Sequence, residues 1–403
     1  MTVRVLALID GEHYAPVVRD ALAAQPHDVV AALLVGGTEK LRGGDEYGVP
    51  LARDLEAAVA EFDPELVIDL SDEPVLGPAP RMLLASRVLA LGLPYEGPGF
   101  RFDPPVFHAI ETPSLAVVGT GKRIGKTAVT GHVARLLAAD RRVVVVAMGR
   151  GGPPEPELVP TPPTLEQLVE LSRSGRHAAS DHLETAALVG VPTVGCRRCG
   201  GGLAGAVAVS NVLEGVALAQ GAAAELIVLD GSGAALPPIA ADRTILVART
   251  HEDAVGYLNA YRVLLSDLVV LTGDGDPEPI RELKDVPVVR VRMRLRSAQP
   301  LEGRRVAVFT TGPAPVDHLD ADVVLVSRNL ADRTALREDL ARTDADVYLV
   351  ELKAAALDMV AEAALDRGAQ VVFAANDVEA LPGEEDFGEL VRRLFPMPVG
   401  AGR

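Results

Sequence analysis

The stretch SLAVVGTGKRIGKTAVTGHVARLLA, residues 114–138, reads as strand, glycine-rich loop and helix in direct succession. SLAVV is a short apolar run suited to a buried strand, and AVTGHVARLLA carries the helix that follows. Between them GTGKRIGKT, residues 119–127, approximates the pattern G-x-x-x-x-G-K-[ST]. Gly125, Lys126 and Thr127 fill its last three positions, whereas Thr120 holds the strict first-glycine position and Gly119 stands one residue early. In such a loop the backbone N–H groups curl around a phosphate at the helix N-terminus, the lysine neutralises β and γ oxygens, and the Thr hydroxyl ligates Mg²⁺. Only five lysines stand among the 39 basic residues of the chain, and two of them, Lys122 and Lys126, lie in this loop. We therefore read Gly119, Thr120, Gly121, Lys122, Arg123, Ile124, Gly125, Lys126, Thr127 and Ala128 as nucleotide-binding, with Lys122 and Lys126 stabilising charge during phosphoryl transfer.

On either side the chain repeats the same alternation of short apolar runs and amphipathic stretches, the mark of βαβ units in a parallel sheet. VRVLALID, DVVAALLVGG and ELVIDLSD supply a first set of strands. LPYEGPGFRFDPPVF, dense in Pro and Gly, then breaks the pattern and reads as a linker. A second set, RRVVVVAMGRGG, ELIVLDGSG, RTILVART and LVVLTGDG, ends repeatedly in the polar or Gly-rich turns where open α/β sheets bind ligands. A third begins at RRVAVFTTG. The expected fold is α/β: a central P-loop NTPase domain with a parallel sheet over 113–300, flanked by smaller Rossmann-like α/β domains at 1–112 and 301–403.

With 403 residues, nearly half of them apolar and only 3% aromatic, the interior must be built from Val, Leu and Ala. A net charge of -17 argues against an extended nucleic-acid or anionic-membrane surface without forbidding a local basic pocket. MTVRVLALID lacks the apolar run of a signal peptide, and no apolar run reaches membrane-span length, so a cytoplasmic protein is expected. Cys196 and Cys199 form one CxxC with no second pair to complete a structural zinc site within the chain.

Several turns carry the residue types an anionic acceptor requires. ELIVLDGSG places Asp230 at a strand end, suited to hold Mg²⁺ with Thr127. MGRGGPPEPE sets Arg150 beside glycines at another strand end, with Glu155 able to approach the metal from the same loop. VGCRRCGGGLAG presents Arg197 and Arg198, then Gly200 and Gly201, as a compact cationic turn for a substrate phosphate, the cysteines bracing it. Arg123 is a further contact for the acceptor. Upstream, SDHLETA offers Asp181, His182 and Glu184, whose roles the sequence does not separate. LIDGEHYAP puts Asp10, Glu12, His13 and Tyr14 on the ligand-facing rim of the first sheet, and His13 is read as substrate-binding.

The shifted glycine of GTGKRIGKT and the acidic strand end of ELIVLDGSG resemble dethiobiotin synthetase, and MGRGGP resembles the Arg-Gly turn of the tetraacyldisaccharide 4'-kinases. Taken together, IDGEHY, GTGKRIGKT, MGRGGP and VGCRRCGGGLAG resemble the cyclic 2,3-diphosphoglycerate synthetases over most of the chain. That resemblance implies an enzyme that uses ATP and Mg²⁺ to close 2,3-diphosphoglycerate into a ring, releasing ADP and phosphate. The choice of ATP rests on the resemblance, since neither ILVART nor LTGDG holds a guanine-reading motif. A homodimer is expected. Two rivals stand beside this reading. One is a P-loop kinase or ligase for another phosphorylated or carboxylated acceptor, and the other a nucleotide switch or metal chaperone that uses the CxxC as its metal handle.

Overall fold

The computed structural model describes residues 2–37, 47–174, 181–312, 314–352 and 356–396. Among them two sheets account for the architecture. The first contains β1 (Arg4–Ile9), β2 (Asp28–Leu34), β3 (Leu51–Ala52), β4 (Leu66–Asp69), β5 (Tyr95–Gly97) and β6 (Phe100–Phe102) in the order β3-β2-β1-β4-β5-β6. All its pairings are parallel except β5 with β6. Strand order reverses between β1 and β4, which places Asp10 and Asp72 at the switch point where such sheets open a crevice. The stretch read as a linker therefore contributes two strands. Pro98-Gly99, with Gly99 at φ +84°, turns Gly97 back against Phe100, and Tyr95 and Phe102 pair across the hairpin.

The second sheet comprises β7 (Ser114–Gly119), β8 (Val143–Gly149), β9 (Glu157–Val159), β10 (Thr193–Cys199), β11 (Val209–Ser210), β12 (Leu226–Asp230), β13 (Arg243–Ala248), β14 (Leu268–Leu271), β15 (Val288–Ser297), β16 (Arg305–Phe309), β17 (Asp322–Ser327), β18 (Val347–Glu351) and β19 (Gln370–Ala380). Its main path runs β11-β10-β8-β12-β7-β13-β14-β15-β19-β18-β16-β17, and β9 pairs with β10. Strands β10 to β15 along this path are mutually parallel. Every residue of β7, β8 and β12 is buried, as expected of strands covered by helices on both faces. The long β15 joins two parallel sets. Its start pairs with β14, and Val291–Ser297 run antiparallel to β19, which heads the set β19-β18-β16-β17.

Helix Lys126–Leu137 covers one face of the central strands through Val129, Val133, Ala134 and Leu137. On the opposite face, helix Pro78–Ala90 from the first sheet packs against helix Asn259–Leu265. One apolar cluster consequently runs from Leu6 and Val88 through Tyr261 and Val263 to Val118 and Val146. No helix among the described residues is long and apolar enough to cross a membrane.

Candidate active site

Strand β7 ends at Gly119, and the loop delivers Lys126 as the first residue of its helix. Gly125 caps that helix at φ +83°, a left-handed conformation that L side chains rarely adopt. Gly119, the glycine that sits one position early, is constrained differently. A Cβ there would stand 2.7 Å from Ile124 Cδ1 and 3.1 Å from the Gly233 carbonyl oxygen, so the strand end, the loop and the turn after β12 meet closely at this glycine, and a side chain would have to displace Ile124 and push on the Gly233 backbone. Arg123 also adopts positive φ, at 59°. Its carbonyl accepts a hydrogen bond from Arg249 Nη2 at 3.1 Å, and the Ile124 carbonyl accepts one from Thr272 Oγ1 at 2.9 Å. The turns after β13 and β14 thus brace the phosphate loop.

Parallel pairing of β12 with β7 sets Asp230 opposite Val117, under the start of the helix. Asp230, 2% exposed, accepts from Lys126 Nζ in an ion pair and from Thr130 Oγ1 at 2.8 Å. Thr130 stands one turn beyond Lys126, on the same side of the helix. Thr127 lines a groove with His132, Glu184 and Glu351, and no hydrogen bond or ion pair joins it to Asp230. Glu155 is exposed on the loop after β8, likewise unattached to either residue. The sequence-read metal set therefore lies on neighbouring elements without being drawn together. Lys122, exposed at the loop tip, has no ion-pair partner among the described residues.

Beside this loop an open cleft is lined by Arg150, Arg198, Cys199, Gly200, Gly201, Gly202, Ala234 and Ala235. Arg198 crosses from β10 to the turn after β12, donating from Nη2 to the Ser232 carbonyl at 2.8 Å and from Nη1 to the Gly200 carbonyl at 2.9 Å. Arg150 Nη2 lies 2.7 Å from where a Cβ on Gly233 would stand. Burial, and next the neighbouring Arg150 charge, push the Arg198 guanidinium below its ordinary pKa. Two cations held this close, one with its Nε buried and unbonded, form a site that gains from an anion.

The arginine pair itself differs from the expected turn. Arg197 and Arg198 belong to β10, where Arg197 opposes Gly149 and Arg198 opposes Ser210, and the turn begins only at Gly200. Successive strand residues face opposite ways, so Arg198 enters the cleft while the Arg197 side chain is exposed; the Arg197 backbone N–H donates to Asn211 Oδ1 at 2.7 Å. The cysteines do not form a bracing pair. Cys196 is buried against Gly215, its thiol pushed up to about 12, first by burial and then by the Glu214 charge; Cys199 is exposed. Neither belongs to a potential metal cluster among the described residues. On the other face of β10, the His182 ring packs under Gly195, and the Asp181 carboxylate lies against Gly149.

His13 sits apart from these elements, at the switch point of the first sheet. Its Nδ1 is 2.8 Å from Asp10 Oδ1, and its Nε2 is 3.6 Å from Asp72 Oδ2. Asp10 also accepts from the backbone N–H groups of Glu12, His13 and Asp72. Burial works to raise its pKa, but the hydrogen bonds from Asp72, His13 and Glu12 outweigh it and hold the carboxyl below its ordinary range. The three side chains are close enough to suggest a cation site, yet Asp10 is already saturated with donors and acts as the anchor of this rim. The sequence reading passed over Thr130, Ser232, Arg249, Thr272 and Arg262. Thr130 had a local signal in its four-residue spacing from Lys126, and Arg262 one in its place within the apolar run AYRVLL.

Family models described as cyclic 2,3-diphosphoglycerate synthetase N-terminal, P-loop and C-terminal domains match residues 4–103, 114–289 and 298–377. The cyclic 2,3-diphosphoglycerate synthetase of Rubrobacter xylanophilus is 46% identical over 422 residues, covering 94% of this chain and 96% of its own. That of Thermococcus kodakarensis is 40% identical, with the same coverage of 94% and 96%. Among solved structures, the "apo" form of LpxK from Aquifex aeolicus in complex with ATP aligns at a TM-score of 0.44 and 16% identity, covering 79% of this chain and 96% of that one.

Proposed function

The chain belongs to the cyclic 2,3-diphosphoglycerate synthetase family, and from that premise we propose that it closes 2,3-diphosphoglycerate into its cyclic anhydride with ATP, releasing ADP and phosphate. It is an ATP-dependent ligase that forms a phosphoric anhydride bond. The observation that carries the assignment of roles is the adjacency of two units on one sheet edge. Lys126 opens the helix that follows β7, its partner Asp230 ends β12, and Arg150 and Arg198 reach the turn directly after Asp230.

In the reaction, one phosphate of the acceptor attacks the γ-phosphorus of ATP. ADP leaves, and the acceptor carries a pyrophosphoryl group. The second acceptor phosphate then attacks the phosphorus next to the carbon-bound oxygen, displacing inorganic phosphate and closing the ring. Each step brings anions together, so its barrier is lowered by fixed cations. Lys126 exchanges Asp230 for the β and γ oxygens, and Lys122 closes over the transferring group from the loop tip. Arg150 and Arg198 hold the acceptor, with Gly200 and Gly201 supplying backbone donors and Arg123 a further contact; Arg197, on the other face of β10, and His13, on the first sheet, are left outside this cleft. A net charge of -17 is compatible with this chemistry, because charges beyond about 8 Å are largely screened in physiological salt.

Thr127 and Asp230 offer the hard oxygen donors that suit Mg²⁺, with Glu155 the third ligand. An Mg²⁺ ion held by these residues would neutralise charge on the nucleotide phosphates. We assign 1–112, 113–300 and 301–403 as the three domains, and take the enzyme to be cytoplasmic and homodimeric. Parallel titration of ADP and phosphate release against 2,3-diphosphoglycerate tests the function. The proposal requires both products to rise with the acceptor in equal amounts, and ADP release indifferent to the acceptor would refute it.

A further inference from the structure

Arg262 is the largest fully buried side chain of the described residues, 1% exposed, yet no ion pair accompanies it. A cation taken out of water is strongly disfavoured unless its donors are satisfied. Here all of them go to neutral acceptors. Nε donates to the Ala234 carbonyl at 2.9 Å, and Nη2 also reaches that oxygen. Nη1 donates to the Leu203 carbonyl at 3.3 Å, to the Leu258 carbonyl at 3.1 Å and to Asn259 Oδ1 at 3.0 Å. Burial pulls the guanidinium down to about 10, which leaves it charged at neutral pH.

The two carbonyls at the far end of this fork belong to the two segments that line the anion cleft. Leu203 follows Gly200, Gly201 and Gly202 after β10, and Ala234 follows Ser232 and Gly233 after β12. Those strands are not neighbours, since β8 lies between them. Leu236 N–H donates to the Gly205 carbonyl at 2.9 Å, and Arg198 bonds the Ser232 carbonyl from the cleft side. Arg262 is the clamp from behind, and its helix is the one that packs on Pro78–Ala90 of the first sheet.

We propose that Arg262 is a positioning residue for the acceptor: it fixes the Gly200–Leu203 and Ser232–Ala234 segments at the spacing that lets Arg150 and Arg198 grip two phosphates, and places a permanent positive charge beneath them. This rests on the function proposed above. It predicts that changing Arg262 weakens acceptor capture and leaves the nucleotide loop, braced separately by Arg249 and Thr272, intact.

The test compares wild type with Arg262→Lys and Arg262→Met. Arg262→Met is expected to raise KM for 2,3-diphosphoglycerate at least tenfold, with KM for ATP within threefold. Arg262→Lys, which keeps the charge and loses the fork, is expected to recover part of the loss. Hydrogen exchange, which needs no turnover, is expected to show at least tenfold faster exchange at Gly205 and Leu236 in Arg262→Lys, with Val129–Leu137 unchanged. Unchanged exchange at Gly205 and Leu236, or an ATP KM that rises in step with the acceptor KM, overturns the inference. A wild type indifferent to the acceptor would instead remove the function reading, while the exchange comparison still decides whether Arg262 holds the segments.

Discussion

Neutralising one member of the Lys126–Asp230 pair tests the logic of the nucleotide site without any ligand. Asp230 is 2% exposed and the Lys126 side chain 10%, so Asp230→Asn leaves an ammonium largely out of water with only a neutral amide beside it. Breaking a buried pair from one side costs about 3–5 kcal/mol. At roughly 2 °C per kcal/mol for a unit of this size, the unfolding midpoint should fall by about 6–10 °C. Lys126→Met should cost a similar amount, because Asp230 then keeps only Thr130 as a side-chain donor. The double variant removes both charges, so its loss should be smaller than the sum by at least about 2 kcal/mol. Calorimetry of the four proteins in the absence of nucleotide reads this coupling. Additive losses, to within about 0.5 kcal/mol, would mean that the two groups do not depend on each other in the folded protein, and the transfer of Lys126 from Asp230 to phosphate would lose its basis.

Other consequences follow from the same geometry. Arg198→Ala should raise the acceptor KM at least tenfold in steady-state kinetics, with ATP KM nearly constant, since Arg198 contacts the acceptor cleft and not the phosphate loop. Cys199→Ser should retain most of the turnover and bind no less zinc than wild type by metal analysis; a large loss of either would revive the metal-handle reading. His132, whose Nδ1 meets the Val378 N–H at 3.3 Å, is held below its ordinary value of 6.5, first by burial and then by the Arg135 charge. Its unfolded form therefore binds a proton more readily. The stability it contributes is complete above about pH 6.5 and drains away as pH falls toward the lowered folded value. Midpoints measured from pH 8 to pH 5 should fall less steeply in His132→Gln than in wild type.

The phosphate loop was legible because its signal is local: nine consecutive residues, a strand before them and a helix after. Asp230 was legible for a related reason, as an acid at the end of a buried strand. Its partner was not, because the pairing with Lys126 depends on β12 lying beside β7 after a crossover of more than a hundred residues. The hairpin at Tyr95–Phe102 was hidden by the density of Pro and Gly, although Pro-Gly between YEG and FRF is itself a turn signal. Arg197 and Arg198 looked equivalent in VGCRRCGGG; only pairing with β8 and β11 makes them alternate and gives the cleft to Arg198. Arg262 stands in the apolar run AYRVLL, where a charge is out of place. That oddity was visible, but its meaning required the carbonyls of Leu203 and Ala234, tens of residues away.

The most direct measurement is phosphorus NMR of the purified protein with ATP, Mg²⁺ and 2,3-diphosphoglycerate, run beside Lys126→Ala. Ring closure should give a new pair of pyrophosphate-type signals that grows with ADP and inorganic phosphate and is absent from the variant. ATP that stays intact, or is hydrolysed while both acceptor phosphates keep their monoester signals, would contradict it.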